Sequence, residues 1–240
     1  MPTTPNPTEN QKPRLSDYQL DNWLNELKKQ DPDIVEKIEK ALQETSKSEI
    51  PGETNIFRAY ELTPFHKVKV VILGNDPYPD KGAADGLAFS YSNGQPARNK
   101  AIKKILSSVN RQFKGNRTDY TLDDWADQGV LLLNTSLTFP LEPLSRKRTE
   151  HRKHWKPLID ATLTSLLLSG KTVVFLIWGR KAENVFKRIS KNIPISNNIK
   201  IIISAHPTAG SSSFRNSNCF EQANVFLAAH KETKIDWLGL

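Results

Sequence analysis

Three side chains of different chemistry occupy equivalent places along this chain. Asp76, Asn134 and His206 each stand at or just past the end of a short apolar run: Val68 to Leu73, Gly129 to Asn134 and Ile201 to Ser204. A fourth run, Thr172 to Ile177, ends at Trp178-Gly179. Runs this short and rich in β-branched residues suit strands buried on both faces. Parallel strands deliver all their carboxyl ends to one edge of a sheet, where open α/β folds place their ligands. A carboxylate, an amide and an imidazole are therefore expected over one cleft, although they are far apart in sequence.

An Asp with a His admits several chemistries. A Ser-His-Asp hydrolase needs a G-x-S-x-G elbow, and none stands at a strand end. The chain has no glycine-rich phosphate loop of the Walker or dinucleotide type. Metal ligation by Asp76 or His206 would lack a close-spaced partner, so neither a metal nor a cofactor is expected. What remains is placed charge and hydrogen bonding, which suits cleavage of a glycosidic bond. A carboxylate can stabilise an oxocarbenium-like sugar and orient water, and a neutral imidazole can donate to the departing oxyanion. An amide offers a donor and an acceptor to the edge of a base.

The positioning elements follow from the pattern around these residues. In VKVVILGNDPYP, Gly74 permits a sharp exit from the strand, and Pro77 and Pro79 cannot continue a ladder, so Asp76 sits on a stiff turn. Leu20, Trp23, Leu24 and Leu27, then Ile34, Val35, Ile38 and Leu42, share helical faces, as do Ile102, Ile105, Leu106, Val109 and Phe113. Residues 80 to 97 read as a long functional loop. The basic stretch from Ser145 to His154 reads as a loop that faces solvent or phosphate, with Lys156-Pro157 opening the next helix. Helices are expected again around Ala182 to Ile189 and Phe220 to His230. Strand and helix alternate throughout, so the expected fold class is α/β. It comprises one domain over 15–240 with a central four-stranded parallel sheet flanked by helices, after a disordered tail over 1–14.

Composition narrows the setting. Lys and Arg number 34 against 26 Asp and Glu, a net charge of +8 that favours a polyanionic partner. The one cysteine, Cys219, excludes an intrachain disulfide and fits a reducing compartment. The N-terminus has no apolar signal region, and no run is long enough to span a bilayer, so no membrane role is expected.

The ordered motifs GNDPYP, GLAFS, GVLLLNTSLTF, VVFLIWG, SAHPTAGS and IDW resemble those of family 1 uracil-DNA glycosylases, over nearly everything after residue 15. The resemblance implies a monomeric, cofactor-free enzyme that flips uracil out of DNA and hydrolyses its N-glycosidic bond, in the bacterial cytoplasm or a eukaryotic nucleus. Glycosylase inhibitor proteins are implied as a possible class of partner. It implies Asp76 as the water-activating acid and His206 as the imidazole facing the uracil anion. Asn75, Tyr78, Phe89 and Asn134 would bind uracil, with Tyr78 blocking thymine's methyl and Phe89 under the base. Arg98, Arg180, Thr208, Gly210 and Ser211 fall where the family contacts DNA.

Departures accompany the likeness. Asn75 stands where the family has Gln, Pro79 where it has His, Arg180 where it has Ser, and Gly210 where a leucine wedges into the duplex. Phe214 is a candidate substitute wedge, and Arg98, Arg180 and the 145–154 stretch are candidates to restore lost phosphate contacts. Two alternatives stay open: a glycosylase-like DNA-binding scaffold without significant catalysis, and altered specificity for other deaminated bases.

Overall fold

The strands form because their residues have apolar neighbours on both sides of the sheet. In β1 (Val70–Gly74), β2 (Val130–Asn134) and β3 (Val173–Trp178) every residue is buried. β4 (Ile199–Ser204) lies at an edge and is only partly covered: Ile199 and Ile202 are buried, whereas Lys200 and Ile203 are open to solvent. The computed structural model describes residues 13–45, 50–80, 82–97, 100–140, 145–210 and 213–239, with backbone alone at 145–148.

All pairings in this sheet are parallel, in the order β2-β1-β3-β4. The chain leaves β1 for β2 on one side, then crosses back to β3 on the other. Connections after β1 and β3 thus depart in opposite directions, and a crevice opens at their carboxyl ends. Register aligns the exits: Gly74 pairs with Asn134, and Trp178 with Ser204.

Helices flank the sheet. α1 (Asp21–Gln30) and α2 (Ile34–Thr45) pack on the long α6 (Ser145–Leu168). α3 (Arg58–Leu62) and α5 (Asp123–Asp127) lie beside β2, and α7 (Arg180–Ser190) beside β3. α4 (Ala101–Phe113) meets α8 (Cys219–Ala229), which covers β3 and β4. One contiguous apolar cluster runs from Leu15 to Trp237. Residues 1–12 of the expected tail lie outside the described residues; Pro13 is buried, and the Arg14 N–H donates to Asp17.

The stretch 145–154 corrects the loop expectation. It is the first part of α6, and Pro157 lies inside that helix rather than at its start. Proline removes one helical hydrogen bond and crowds the preceding turn. That turn is held from elsewhere: the Trp155 indole N–H donates to Thr138 Oγ1 at 2.7 Å, and His151 Nδ1 shares the same hydroxyl at 2.9 Å. His151 and Trp155 are four residues apart on one face, so a tertiary anchor outweighs the local breaker.

Candidate active site

The exit of β1 is built around an absence of side chain. A Cβ on Gly74 would lie 2.2 Å from Asn134 Oδ1 and 2.9 Å from the Ala88 Cβ. Glycine is therefore what allows the amide of the neighbouring strand to lie across this position. The Asn75 carbonyl then accepts the Ser136 N–H at 3.0 Å and the Thr135 hydroxyl at 2.9 Å, tying the turn to the exit of β2. Two residues past Asp76, the Tyr78 hydroxyl accepts the Ile102 N–H at 3.3 Å in the first turn of α4. Its ring meets Tyr91 edge-on at 5.3 Å, and burial pushes the phenol pKa up, so Tyr78 is a neutral wall.

Phe89 has φ 68°, in the left-handed region that bulky residues avoid. The strain places its half-buried ring 5.3 Å from Trp178 and 6.1 Å from the imidazole of His206. Asp85 braces the turn: it accepts the Leu87 N–H at 3.1 Å and the Ser90 hydroxyl, with Arg58 alongside. Burial raises the Asp85 pKa, opposed by those hydrogen bonds. The strained turn thus presents an aromatic face, which the sequence alone reads as ordinary core.

His206 follows β4, and the space it needs is again left by glycine. A Cβ on Gly179 would stand 2.8 Å from the His206 Cβ. The Thr208 N–H donates to His206 Nδ1 at 3.2 Å, and the Thr208 hydroxyl lies 2.9 Å from the same atom. Because Nδ1 accepts a backbone N–H, the neutral ring carries its proton on Nε2. Burial, with the charge of Lys181, holds the pKa below the ordinary 6.5. This is a neutral imidazole with one N–H left to donate. Thr208, expected at phosphate, is occupied with fixing that tautomer.

Asn75, Asp76, Tyr78, Phe89, Asn134 and His206 line a single cavity of about 110 Å³. The three strand-end groups are therefore brought together as the spacing implied. The cavity falls well short of the ~300–1,000 Å³ of sites for drug-sized ligands and suits one small ring. Asn134 is 5 % exposed, and among the described residues no hydrogen bond reaches its side-chain amide. The amide opens on the cavity, so a ligand that fills the cavity without pairing it incurs about 1–3 kcal/mol, which an edge with matching donor and acceptor avoids.

One contact at the site was not legible in the sequence. Arg152, on α6, grips Asp76 through a two-point fork, Nε to Oδ1 at 2.8 Å and NH2 to Oδ2 at 2.6 Å. Only the basic character of 145–154 hinted at it.

The residues expected at DNA are less gathered. Arg180 is exposed at the start of α7 and has no partner among the described residues. Gly210 is exposed, with nothing within 4 Å of a notional Cβ. Arg98 and Ser211 lie outside the described residues. Phe214 corrects the wedge expectation: it is 3 % exposed and packs edge-on against Trp178 at 5.1 Å, so it is held in the core. Among the described residues no group of three or more His, Cys, Asp or Glu could hold a metal ion, and no helix is long and apolar enough to cross a membrane. Cys219 is a buried free thiol, its pKa pushed up to about 11 by burial.

An acid, an unpaired amide and a donor imidazole around a ring-sized cavity, at the carboxyl edge of a parallel sheet, define an enzyme-type α/β site. Comparison with known proteins gives the family. Residues 61–228 match the model of the uracil DNA glycosylase superfamily. The uracil-DNA glycosylase of Leuconostoc mesenteroides is 33 % identical over 222 residues, covering 90 % of this chain and 96 % of that protein. That of Lactococcus lactis subsp. lactis is 39 % identical over 215 residues, covering 86 % and 90 %. Among solved structures, mimivirus uracil-DNA glycosylase shares the fold with a TM-score of 0.70 at 21 % identity, covering 90 % of this chain and 86 % of its own. A variant of mimivirus UNG in complex with UGI gives a TM-score of 0.73 at 20 % identity, covering 94 % and 91 %. The chain belongs to the uracil DNA glycosylase superfamily, as an enzyme of the glycosylase class.

Proposed function

We propose that this protein removes uracil from DNA by hydrolysing the N-glycosidic bond of an extruded nucleotide, leaving an abasic site. The observation that carries the reading is the amide of Asn134, which opens without a partner among the described residues on the cavity that His206 and Asp76 also line. Uracil offers that amide a carbonyl acceptor and an N–H donor side by side, whereas cytosine presents a different edge and leaves the amide mispaired. As the bond breaks, negative charge grows on the uracil oxygen, where the Nε2–H of neutral His206 can donate without giving up its proton. Asp76 stabilises the cationic sugar and orients the attacking water. Phe89 supplies a face for stacking, and Tyr78 closes the wall against thymine's methyl.

The finer assignments rest on the departures from the family pattern. With Gly210 at the wedge position and Phe214 in the core, the enzyme holds an extruded base weakly in duplex DNA and favours single-stranded or weakly paired uracil. Arg180, with Arg98 and the basic turns of α6, supplies charge where Pro79 and the missing serine remove phosphate contacts. Such charge-based binding gives a steep salt dependence. The chain acts as a monomeric domain over 15–240 in a reducing compartment, the cytoplasm if the source is bacterial. Inhibitor proteins are a further class of partner, since a structural relative occurs in complex with UGI.

A DNA-bound scaffold is the alternative reading, favoured by Pro79, which puts no side-chain donor on the active-site turn where the family has His. A bicyclic deaminated purine fits the small cavity less well than uracil. Alkaline scission of single-stranded oligonucleotides carrying uracil, hypoxanthine or xanthine, after incubation with wild type and Asp76→Asn, separates the three. Cleavage at uracil alone, abolished by Asp76→Asn, is expected. Absence of cleavage on every substrate with DNA binding retained would establish the scaffold.

A further inference from the structure

The Asp76–Arg152 fork stands in tension with the reaction. A carboxylate stabilises a developing cation through uncompensated negative charge, and a guanidinium on both its oxygens cancels much of that field at the sugar. Asp76 has a side chain 18 % exposed and is held from the outside by Arg152, 34 % exposed. Two of the five guanidinium N–H groups serve Asp76, and Arg152 has no other partner among the described residues. Three donors in a planar fork are thus left without a partner among the described residues, beside a carboxylate that lines the cavity, on a helix segment whose sequence includes Arg146, Lys147, Arg148, Lys153 and Lys156. Planar donors of this kind match the oxygens of a phosphodiester.

We infer that Arg152 is a phosphate-binding residue that is exchanged from Asp76 to a DNA phosphate beside the extruded nucleotide, releasing the carboxylate only when DNA is engaged. The inference rests on the proposed role of Asp76. In the free protein the pair neutralises a carboxylate facing a small cavity. On DNA the phosphate takes the guanidinium, and Asp76 recovers its charge where the sugar needs it. One residue then both contributes to binding and couples binding to chemistry, at a rim where Pro79 offers no donor.

The test uses the full chain and single-stranded uracil oligonucleotides, either natural or with one neutral methylphosphonate linkage stepped through the positions flanking uracil. Arg152→Ala is expected to lower kcat/KM on natural DNA about tenfold, and to reduce the slope of log affinity against log salt by about one. At one linkage, the methylphosphonate should slow wild type strongly and Arg152→Ala hardly at all. On that substrate the variant should be the faster enzyme, because nothing then holds Asp76. Equal losses for the variant on both substrates with an unchanged salt slope would reduce Arg152 to a structural support. No change on either substrate would remove it from the reaction, and both outcomes overturn the inference.

A binding arm is independent of turnover. Asp76→Asn should tighten binding to uracil-free single-stranded DNA several-fold, and adding Arg152→Ala should abolish the gain. A gain that survives the second substitution overturns the exchange. If wild type releases no uracil, the proposed activity fails, while the binding arm still decides whether Arg152 can leave Asp76 for phosphate.

Discussion

The turn leaving β1 and the turn leaving β4 face one cavity but are held by opposite means. At β1 the restraints come from distant parts of the chain: Thr135 and Ser136 on Asn75, Arg152 on Asp76, and the Ile102 amide on Tyr78. At β4 they are local. Thr208 fixes His206 from two residues away, the Ala209 N–H closes back on the His206 carbonyl at 2.8 Å, and residues 208–210 are exposed. On the proposed function, reading the base calls for a seat set by the whole fold, whereas contact with the DNA strand is left to the exposed, locally held residues after His206. On that reading the difference also places the points of failure: disruption on the β1 side reaches the acid through remote residues, and disruption on the β4 side reaches His206 through Thr208 or the grip on DNA through Gly210.

The largest expected effect is at the acid. Asp76→Asn should lower the single-turnover rate on single-stranded uracil DNA by about 10³-fold, the range for loss of an activating base. A loss below tenfold would remove Asp76 from the reaction. Asn134→Ala comes next, with kcat/KM down about 10²-fold, as for loss of the donor and acceptor that meet the base edge. Its melting temperature should stay within a few degrees of wild type, because the amide satisfies no other group. A collapse in stability instead would recast Asn134 as a brace between strands.

The imidazole side should show itself in pH dependence. Burial lowers the His206 pKa below 6.5, so the rate should hold as pH falls past that value and drop only below it, about tenfold per unit. The linked stability has the same sign. It is fully present above the unfolded value, where both states hold the ring neutral, and is lost as pH falls through the lowered folded value. Melting temperature against pH for wild type and His206→Asn reads it directly; a rate already falling above pH 7 would contradict the neutral donor. The smallest effect is at the grip. Gly210→Leu enters open space, and should speed excision from a U·A duplex several-fold while leaving single-stranded uracil unchanged. Equal change on both substrates would show that position 210 acts on the cavity rather than the duplex.

Much of this arrangement could be read before any coordinates. Buried parallel strands announce themselves as short β-branched runs, and their shared edge brings Asp76, Asn134 and His206 together by topology alone. What escaped was whatever depends on contacts between distant segments. The helix through Pro157 is set by His151 and Trp155 reaching Thr138, so local breaker chemistry misled. Phe214 follows a polar serine run and looks exposed, yet Trp178 draws it inside. Nothing local to Arg152 singles it out among the basic residues of its segment, and its pairing with Asp76 becomes visible only once α6 lies beside the turn. The backbone strain at Phe89 has no sequence signature, since the ring itself is commonplace.

The contact between Gly74 and Asn134 ties the histories of two codons. Any side chain at 74 would press on both the Asn134 amide and the Ala88 methyl, so on the proposed function drift there bears on which base is accepted as well as on packing. A lineage seeking a new substrate therefore has a second dial, placed beneath the recognition group and outside its direct reach.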